Sequence, residues 1–246
     1  FTLPPRAPTG HKYGSGDVTI LSGSLPGAAR LAAMAARRAG AGMVSIAAPD
    51  AAALPEAGIM LRREPLAELL QDQRRQNWVV GPGLGIDAAG PALAELLAAG
   101  GRRIVADADA LTACARAPER LRGVTVITPH EGEFTRLFGP IGPDRLSAAR
   151  AAAARIGAVV VLKGPDTIIA APEGEAVINA NAPPWLATGG TGDVLAGLIA
   201  ALLARGMAPF AAACAGVWLH GAAATKIGPG LLAEDLPDQL GPLAQR

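Results

Sequence analysis

Short apolar, β-branched runs alternate along this chain with longer Ala- and Leu-rich stretches whose polar residues recur at helical spacing. The runs Val18 to Leu21, Met43 to Ala47, Trp78 to Val80, Ile104 to Ala106, Val124 to Thr128 and Val159 to Leu162 predict strands. Pro26 to Arg38, Ala88 to Ala99 and Arg145 to Ile156 predict amphipathic helices between them. Such alternation is that of βαβ units and a mostly parallel sheet, and strands apolar on both faces call for helices above and below. The expected class is therefore α/β, a three-layer αβα arrangement. Thr167 to Ala171 and Ala176 to Asn179, joined by Pro172 to Glu175, predict an antiparallel hairpin at one edge. A Pro-rich loop, Asn181 to Trp185, then leads through Gly189, Gly190, Thr191, Gly192 and Asp193 into a helix over Val194 to Ala204. That helix is apolar all round and is expected to be buried. No repeat, charge run or dividing linker is present, so residues 1–246 read as one domain with an extended arm over 1–10.

Composition narrows this. Half of the 246 residues are apolar, yet there are only four Phe, three Trp and one Tyr, so Ala, Val, Leu and Ile must build the interior. Twenty-two Lys and Arg against 21 Asp and Glu leave a net charge of +1, which gives no overall field for nucleic acid or an anionic bilayer. Any nucleotide must be captured locally. Cys114 and Cys214 form no CxxC pair, and three His are too few for a zinc cluster, which points to a reducing, cytoplasmic setting. The apolar runs Val194 to Ala204 and Phe210 to Leu219 are shorter than the roughly 18 residues needed to span a bilayer. The chain opens on Phe1 without a signal peptide, as expected of a fragment. The Ala-rich helices offer faces for a homo-oligomer.

GGTGD is the sharpest chemical signal. Its glycines leave backbone bare enough to wrap an anion, and the following helix aims open N–H groups and its positive dipole end there. Asp193 has two readings: a first-turn carboxylate favouring the helix dipole, or a general base beside a phosphoryl group. The GPGLG turn at Gly81 to Gly85 is a second place of close backbone approach, but it lacks the GxGxxG spacing, and no P-loop exists. Asp107 and Asp109 follow one strand and Thr128 to Glu133 another, so both clusters should face the crevice beyond the carboxyl ends of the sheet. Helix capping for the aspartates and a loop role for His130 are the ordinary readings. Glu131 with Glu133 is either a solvated turn or a partner of a Mg²⁺ water shell. Lys163, Gly164, Pro165, Asp166 and Thr167 either end a strand in solvent or line a nucleotide pocket. His11 and Lys12 read as an exposed arm, and His220 as a satisfied core histidine.

The segments HKYGSGDV, VVGPGLG, VADADAL, TPHEGEF, VVLKGPDT, INANAPPWLATGGTGDVLAGLIAALLARGM and VWLHG together resemble the ADP-dependent NAD(P)H-hydrate dehydratase family, of ribokinase-like fold. The resemblance covers nearly the whole chain. It implies a lyase that uses ADP to phosphorylate the C6 hydroxyl of the S epimer of hydrated NADH or NADPH and then eliminates phosphate, leaving AMP. Carried onto this sequence, it implies Asp193 as base and Gly190, Thr191 and Gly192 as anion hole. Lys163, Gly164, Pro165, Asp166, Thr167 and Gly192 would hold the AMP portion of ADP. Ala28, Gly83, Gly85, His130 and Asp193 would meet the dinucleotide, and Glu133 would hold Mg²⁺ through water. The start, LPPRAPTGHK, resembles the passage from an epimerase domain into the dehydratase in bifunctional members, so a covalently linked partner domain is implied.

The rival within the same fold is an ATP-dependent kinase of small alcohols such as vitamin precursors. Those relatives carry Asn three residues before the Glu where this chain has His130 and Glu133, which favours repair. Two departures from the family pattern stand out. The turn from Ser22 to Ala28 is about two residues shorter than the usual GGS…GA, and Pro183, Pro184 and Trp185 replace the usual NPG. Trp185 either stacks on a ring or packs the loop.

Overall fold

The computed structural model describes residues 2–4, 16–49 and 56–244. His11, Lys12 and most of the HKYGSGDV segment and of the N-terminal arm lie outside the described residues. In chain order the elements are β1 (Asp17–Leu21), α1 (Pro26–Arg38), β2 (Met43–Ala47), β3 (Met60–Arg62), α2 (Leu66–Leu69), β4 (Asn77–Val80), α3 (Ile86–Ala99), β5 (Arg103–Ala106) and α4 (Asp109–Ala113). They continue with β6 (Val126–Ile127), α5 (Glu131–Phe138), α6 (Arg145–Ile156), β7 (Val159–Leu162), β8 (Thr167–Ala170), β9 (Ala176–Asn179), α7 (Thr191–Ala204), α8 (Pro209–Ile227) and α9 (Leu236–Leu243).

The strands form one nine-stranded sheet in the order β3-β2-β1-β4-β5-β6-β7-β8-β9. Pairings are parallel from β3 to β7, and the β7–β8 and β8–β9 pairings are antiparallel, which places the expected hairpin at the edge. Successive strand residues face opposite layers, as a period of two requires. Val79, Val105, Val126 and Val161 join the core under α1, α7, α8 and α9. Trp78, Val80, Ile104, Ala106, Val160 and Leu162 join the core under α3 to α6. No helix of the described residues is long and apolar enough to cross a membrane.

The predicted helices over 26–38 and 145–156 coincide with α1 and α6, whereas the strand expected over Val124 to Thr128 is only Val126–Ile127. Val124 N–H closes a turn on Leu121, and the Thr125 hydroxyl accepts the Ile104 N–H where a carbonyl would continue the ladder. Helix α7 starts at Thr191, three residues earlier than expected, so Asp193 lies within its first turn.

The scarcity of aromatics has its counterpart where α1 meets α7. Ala29, Ala32, Ala33, Ala35 and Ala36 of α1 are fully buried, and a Cβ on Gly197 of α7 would lie 2.0 Å from the Ala32 carbonyl oxygen. Backbone cannot yield as a side-chain tip can. Gly197→Ala is expected to lower stability by about 3 kcal/mol. A urea melt with an unchanged midpoint would show instead that the two helices separate freely.

Candidate active site

Four of the five chemical segments lie beyond the carboxyl end of a parallel strand, and the fifth, GGTGD, opens α7. Gly81–Gly85 follows β4, Asp107–Asp109 follows β5, Thr128–Glu133 follows β6 and Lys163–Thr167 follows β7, so these segments share the carboxyl edge of the sheet.

Asp107 and Asp109 do not cap α4, whose N-terminus has no side-chain cap. Between them Ala108 takes φ +49°, a left-handed conformation that costs a non-glycine residue roughly 1–3 kcal/mol. That turn sends the two carboxylates apart. Asp107 Oδ1 accepts from Lys163 Nζ at 3.0 Å, and Asp109 Oδ2 accepts the Gly85 N–H at 2.8 Å. Gly81, at φ +117°, makes room: a Cβ there would be 1.8 Å from the Asp107 carbonyl oxygen.

At the start of α7, Gly190 occupies the N-cap with φ +93°. Thr191 turns its hydroxyl onto the Leu186 and Thr188 carbonyls and its N–H toward Thr188 at 3.4 Å. Among the described residues no acceptor stands against the Gly192 and Asp193 N–H groups. The Gly190 N–H likewise meets no acceptor among the described residues, so the open donors of the turn are Gly190, Gly192 and Asp193, while Thr191 braces the loop. Gly192 is hemmed by Lys163, since a Cβ there would be 3.3 Å from Nζ and 3.7 Å from Asp107 Oδ2.

His130 is the N-cap of α5. Its Nδ1 accepts the Gly132 and Glu133 N–H groups, and Glu133 Oε2 accepts the His130 N–H, a reciprocal capping box. Glu133, buried, also lies 3.9 Å from Lys163 Nζ. Three carboxylates, Asp107, Glu133 and Asp193, thus surround one ammonium. Burial first, then Asp107, raises the Asp193 pKa to about 6 against the pull of Lys163. Burial and Asp107 likewise push Glu133 up. Burial alone would lower Lys163, but Asp107, Glu133 and Asp193 outweigh it and hold its pKa above the ordinary value.

A cavity of about 830 Å³ opens beside this cluster, lined by His130, Glu131, Lys163, Gly164, Pro165, Thr167, Thr191 and Gly192, with the 182–188 loop, Leu195, Val217 and His220 as its remaining wall. Such a volume suits a nucleotide. Thr167 shapes its rim by donating to the Gly164 carbonyl and accepting the Gly164 N–H. Asp166 is exposed and does not line the cavity. Ala28, Gly83, Gly85, Gly190, Glu133 and Asp193 also lie outside its lining. Ala28 and Gly83 meet instead where the loop after β1 is laced to GPGLG by the Leu25 N–H on the Gly83 carbonyl, so His130 sits with the Lys163 loop and apart from that pair.

A family model for NAD(P)H-hydrate dehydratase matches residues 18–242. The chain belongs to that family. It is 38% identical to the ADP-dependent (S)-NAD(P)H-hydrate dehydratase of Neisseria meningitidis, over 98% of this chain and 87% of that one. It is 43% identical to the bifunctional NAD(P)H-hydrate repair enzyme Nnr of Mycobacterium tuberculosis, over 83% of this chain and 44% of that protein. The chain thus spans about half the length of the bifunctional relatives it matches. The ribokinase-like fold is shared with solved structures. One is the ADP/ATP-dependent NAD(P)H-hydrate dehydratase from Bacillus subtilis co-crystallized with ATP/Mg²⁺, at TM-score 0.79 and 32% identity over 99% of this chain and 93% of that one.

In this member of the dehydratase family three site features were not legible as such. The Asp107–Lys163 pair joins residues 56 positions apart, and no local pattern announces it. Arg145 places a guanidinium against Gly164, where a Cβ would be 2.6 Å from Nη2, and pairs with Glu131 at 2.9 Å. His220 is not a satisfied core histidine: it forms cavity wall, and its buried Nε2 has no partner among the described residues. Trp185 donates to the Ala224 carbonyl at 3.0 Å and packs on the core, which resolves its role as packing of the loop.

Proposed function

We propose that this chain is a single catalytic domain that dehydrates the S epimer of C6-hydrated NADH and NADPH with ADP. The observation that carries the reading is the place of Asp193: beside open amides at the first turn of a buried helix, with Lys163 and the nucleotide-sized cavity on one side and Asp109, which holds the GPGLG turn, on the other. The activities of the Neisseria meningitidis and Bacillus subtilis relatives support it.

ADP lies in the cavity along Lys163 to Thr167 with its terminal phosphoryl group at the Gly192 and Asp193 amides. Asp193 takes the proton of the C6 hydroxyl as that oxygen bonds to phosphorus and the bond to AMP breaks. Lys163 and the fixed amide donors stabilise the charge that develops. The C6–O bond then breaks, phosphate departs with the electron pair, and the adjacent ring carbon loses a proton to restore the dihydronicotinamide. Among the described residues no group of three or more His, Cys, Asp or Glu is placed to hold a metal ion directly. Three carboxylates against one lysine nevertheless leave a buried excess of negative charge, which fits a hydrated Mg²⁺ held by Glu133 and Asp107 through water. When bound, Mg²⁺ neutralises phosphate charge.

Hydrated NADH incubated with the protein, Mg²⁺ and ADP is expected to regain its near-ultraviolet dihydronicotinamide absorbance. No recovery, together with ATP consumption on hydroxymethylpyrimidine or a thiazole alcohol, would assign the chain to the vitamin-precursor kinases. Because the base must be ionised, turnover at saturating ADP is expected to fall about tenfold per pH unit as pH drops below the Asp193 pKa of about 6. A rate that stays flat through that range would remove Asp193 as the base.

A further inference from the structure

Arg145 stands behind the cavity wall, and the proposed reaction gives it no part. It is the first residue of α6, where the helix dipole disfavours a cation. Its Nη1 lies 2.9 Å from Glu131 Oε1, while Nε and Nη2, both buried, meet no acceptor among the described residues. Arg103, Arg120 and Arg205 brace the fold by donating to main-chain carbonyls. Nε and Nη2 of Arg145 satisfy none, and burying unmet donors costs stability. The role of Arg145 lies in the two segments it touches.

Both segments belong to the wall, Glu131 after β6 and Gly164 after the neighbouring β7. A Cβ on Gly164 would be 2.6 Å from Nη2, 3.1 Å from Nη1 and 3.3 Å from Cζ of Arg145, with no other atom nearer. Gly164 is not among the glycines of positive φ, so the guanidinium, and not backbone strain, keeps a side chain out. Because the Gly164 N–H and carbonyl both bond the Thr167 hydroxyl, whatever seats Gly164 seats the Lys163–Thr167 loop. Glu131, unpaired, would repel a nucleotide's phosphates, and the guanidinium cancels that charge. We propose that Arg145 is a positioning residue for the nucleotide: by pairing Glu131 and backing Gly164 it sets the affinity for ADP without touching it. The inference rests on the nucleotide reading of the cavity. Lys163, held by Asp107, and Asp193, on α7, are positioned without Arg145, so the chemical step is spared.

Calorimetric ADP titration and steady-state kinetics on the wild type, Arg145→Ala, Arg145→Lys, Gly164→Ala and the double variant Arg145→Ala/Gly164→Ala test it, with thermal melts confirming that each is folded. Arg145→Ala is expected to weaken ADP binding and raise its KM about tenfold or more, with kcat at saturating ADP and the KM for hydrated NADH within about twofold of wild type. Arg145→Lys, which keeps a cation beside Glu131, should recover part of the affinity. Gly164→Ala should weaken ADP by itself, because its Cβ displaces the guanidinium, and should add little to Arg145→Ala, where that space is free. Unchanged ADP affinity in Arg145→Ala, a fall in kcat at constant KM, an Arg145→Lys variant as weak as Arg145→Ala, or additive losses in the double variant would overturn the proposal while leaving the nucleotide site standing. If Arg145→Ala does not fold, Gly164→Ala decides, and unchanged ADP affinity there overturns the proposal. Failure of the wild type to bind ADP would overturn the nucleotide reading as well.

Discussion

Asp193→Asn is expected to bind ADP at least as tightly as the wild type and to lose roughly 10²- to 10⁴-fold in turnover, the usual contribution of a general base. The two effects have opposite signs for one reason. A carboxylate beside a phosphate repels it, so removing the charge eases binding, while the amide that replaces it cannot take the hydroxyl proton. Geometry is conserved in the exchange, and the backbone donors at Gly192 and Asp193 are untouched. Calorimetric ADP titration and the absorbance assay on the same preparation separate the two quantities. Normal turnover would reduce Asp193 to a charge at a helix end.

Lys163→Met should act on stability as much as on nucleotide affinity. Nζ holds Asp107, whose side chain is 2% exposed, at 3.0 Å and lies 3.9 Å from Glu133, 7% exposed. Without the ammonium these carboxylates are buried and uncompensated, a cost of about 3–5 kcal/mol. The sign with pH follows. Loss of the cation raises the folded-state pKa of Glu133, already pushed up by burial and Asp107, further above its unfolded value, so its penalty is full above the raised value and fades as acid protonates it. Denaturant melts should therefore show a large deficit at neutral pH that narrows on acidification, and Lys163→Met with Asp107→Asn should regain part of it. A deficit independent of pH would mean that lost packing, and not stranded charge, is responsible.

The hydrophobic pattern made the layers readable because most strands inside the sheet are apolar on both faces, β1 and β2 placing Thr19 and Ser45 on one, and each long helix begins or ends on Pro or Gly. β3 escaped because three half-exposed residues at a sheet edge carry no burial pattern, and α8 was visible only as an apolar run. At the site, the segments GPGLG, DAD, HEGE, KGPDT and GGTGD could be placed at the crevice because each directly follows a strand or opens a helix. The partners across the crevice could not. Which carboxylate meets Lys163 depends on Ala108 adopting φ +49°, and nothing in a run of Asp-Ala-Asp specifies it. The same holds for Gly164, whose small size answers to Arg145 across the fold, and for His220, whose apolar flanks concealed that its ring borders a cavity.

The contact of Gly197 with Ala32 has a bearing on how this scaffold can change. Because the helix that carries the candidate base meets α1 at Gly197 with no side chain between it and the Ala32 carbonyl, nothing at that contact can repack to let it slide or tilt. Altered specificity must then arise from the surrounding loops, over residues 22–28, 81–85 and 182–188, with the amide donors held as a fixed origin from which any new alcohol would be measured.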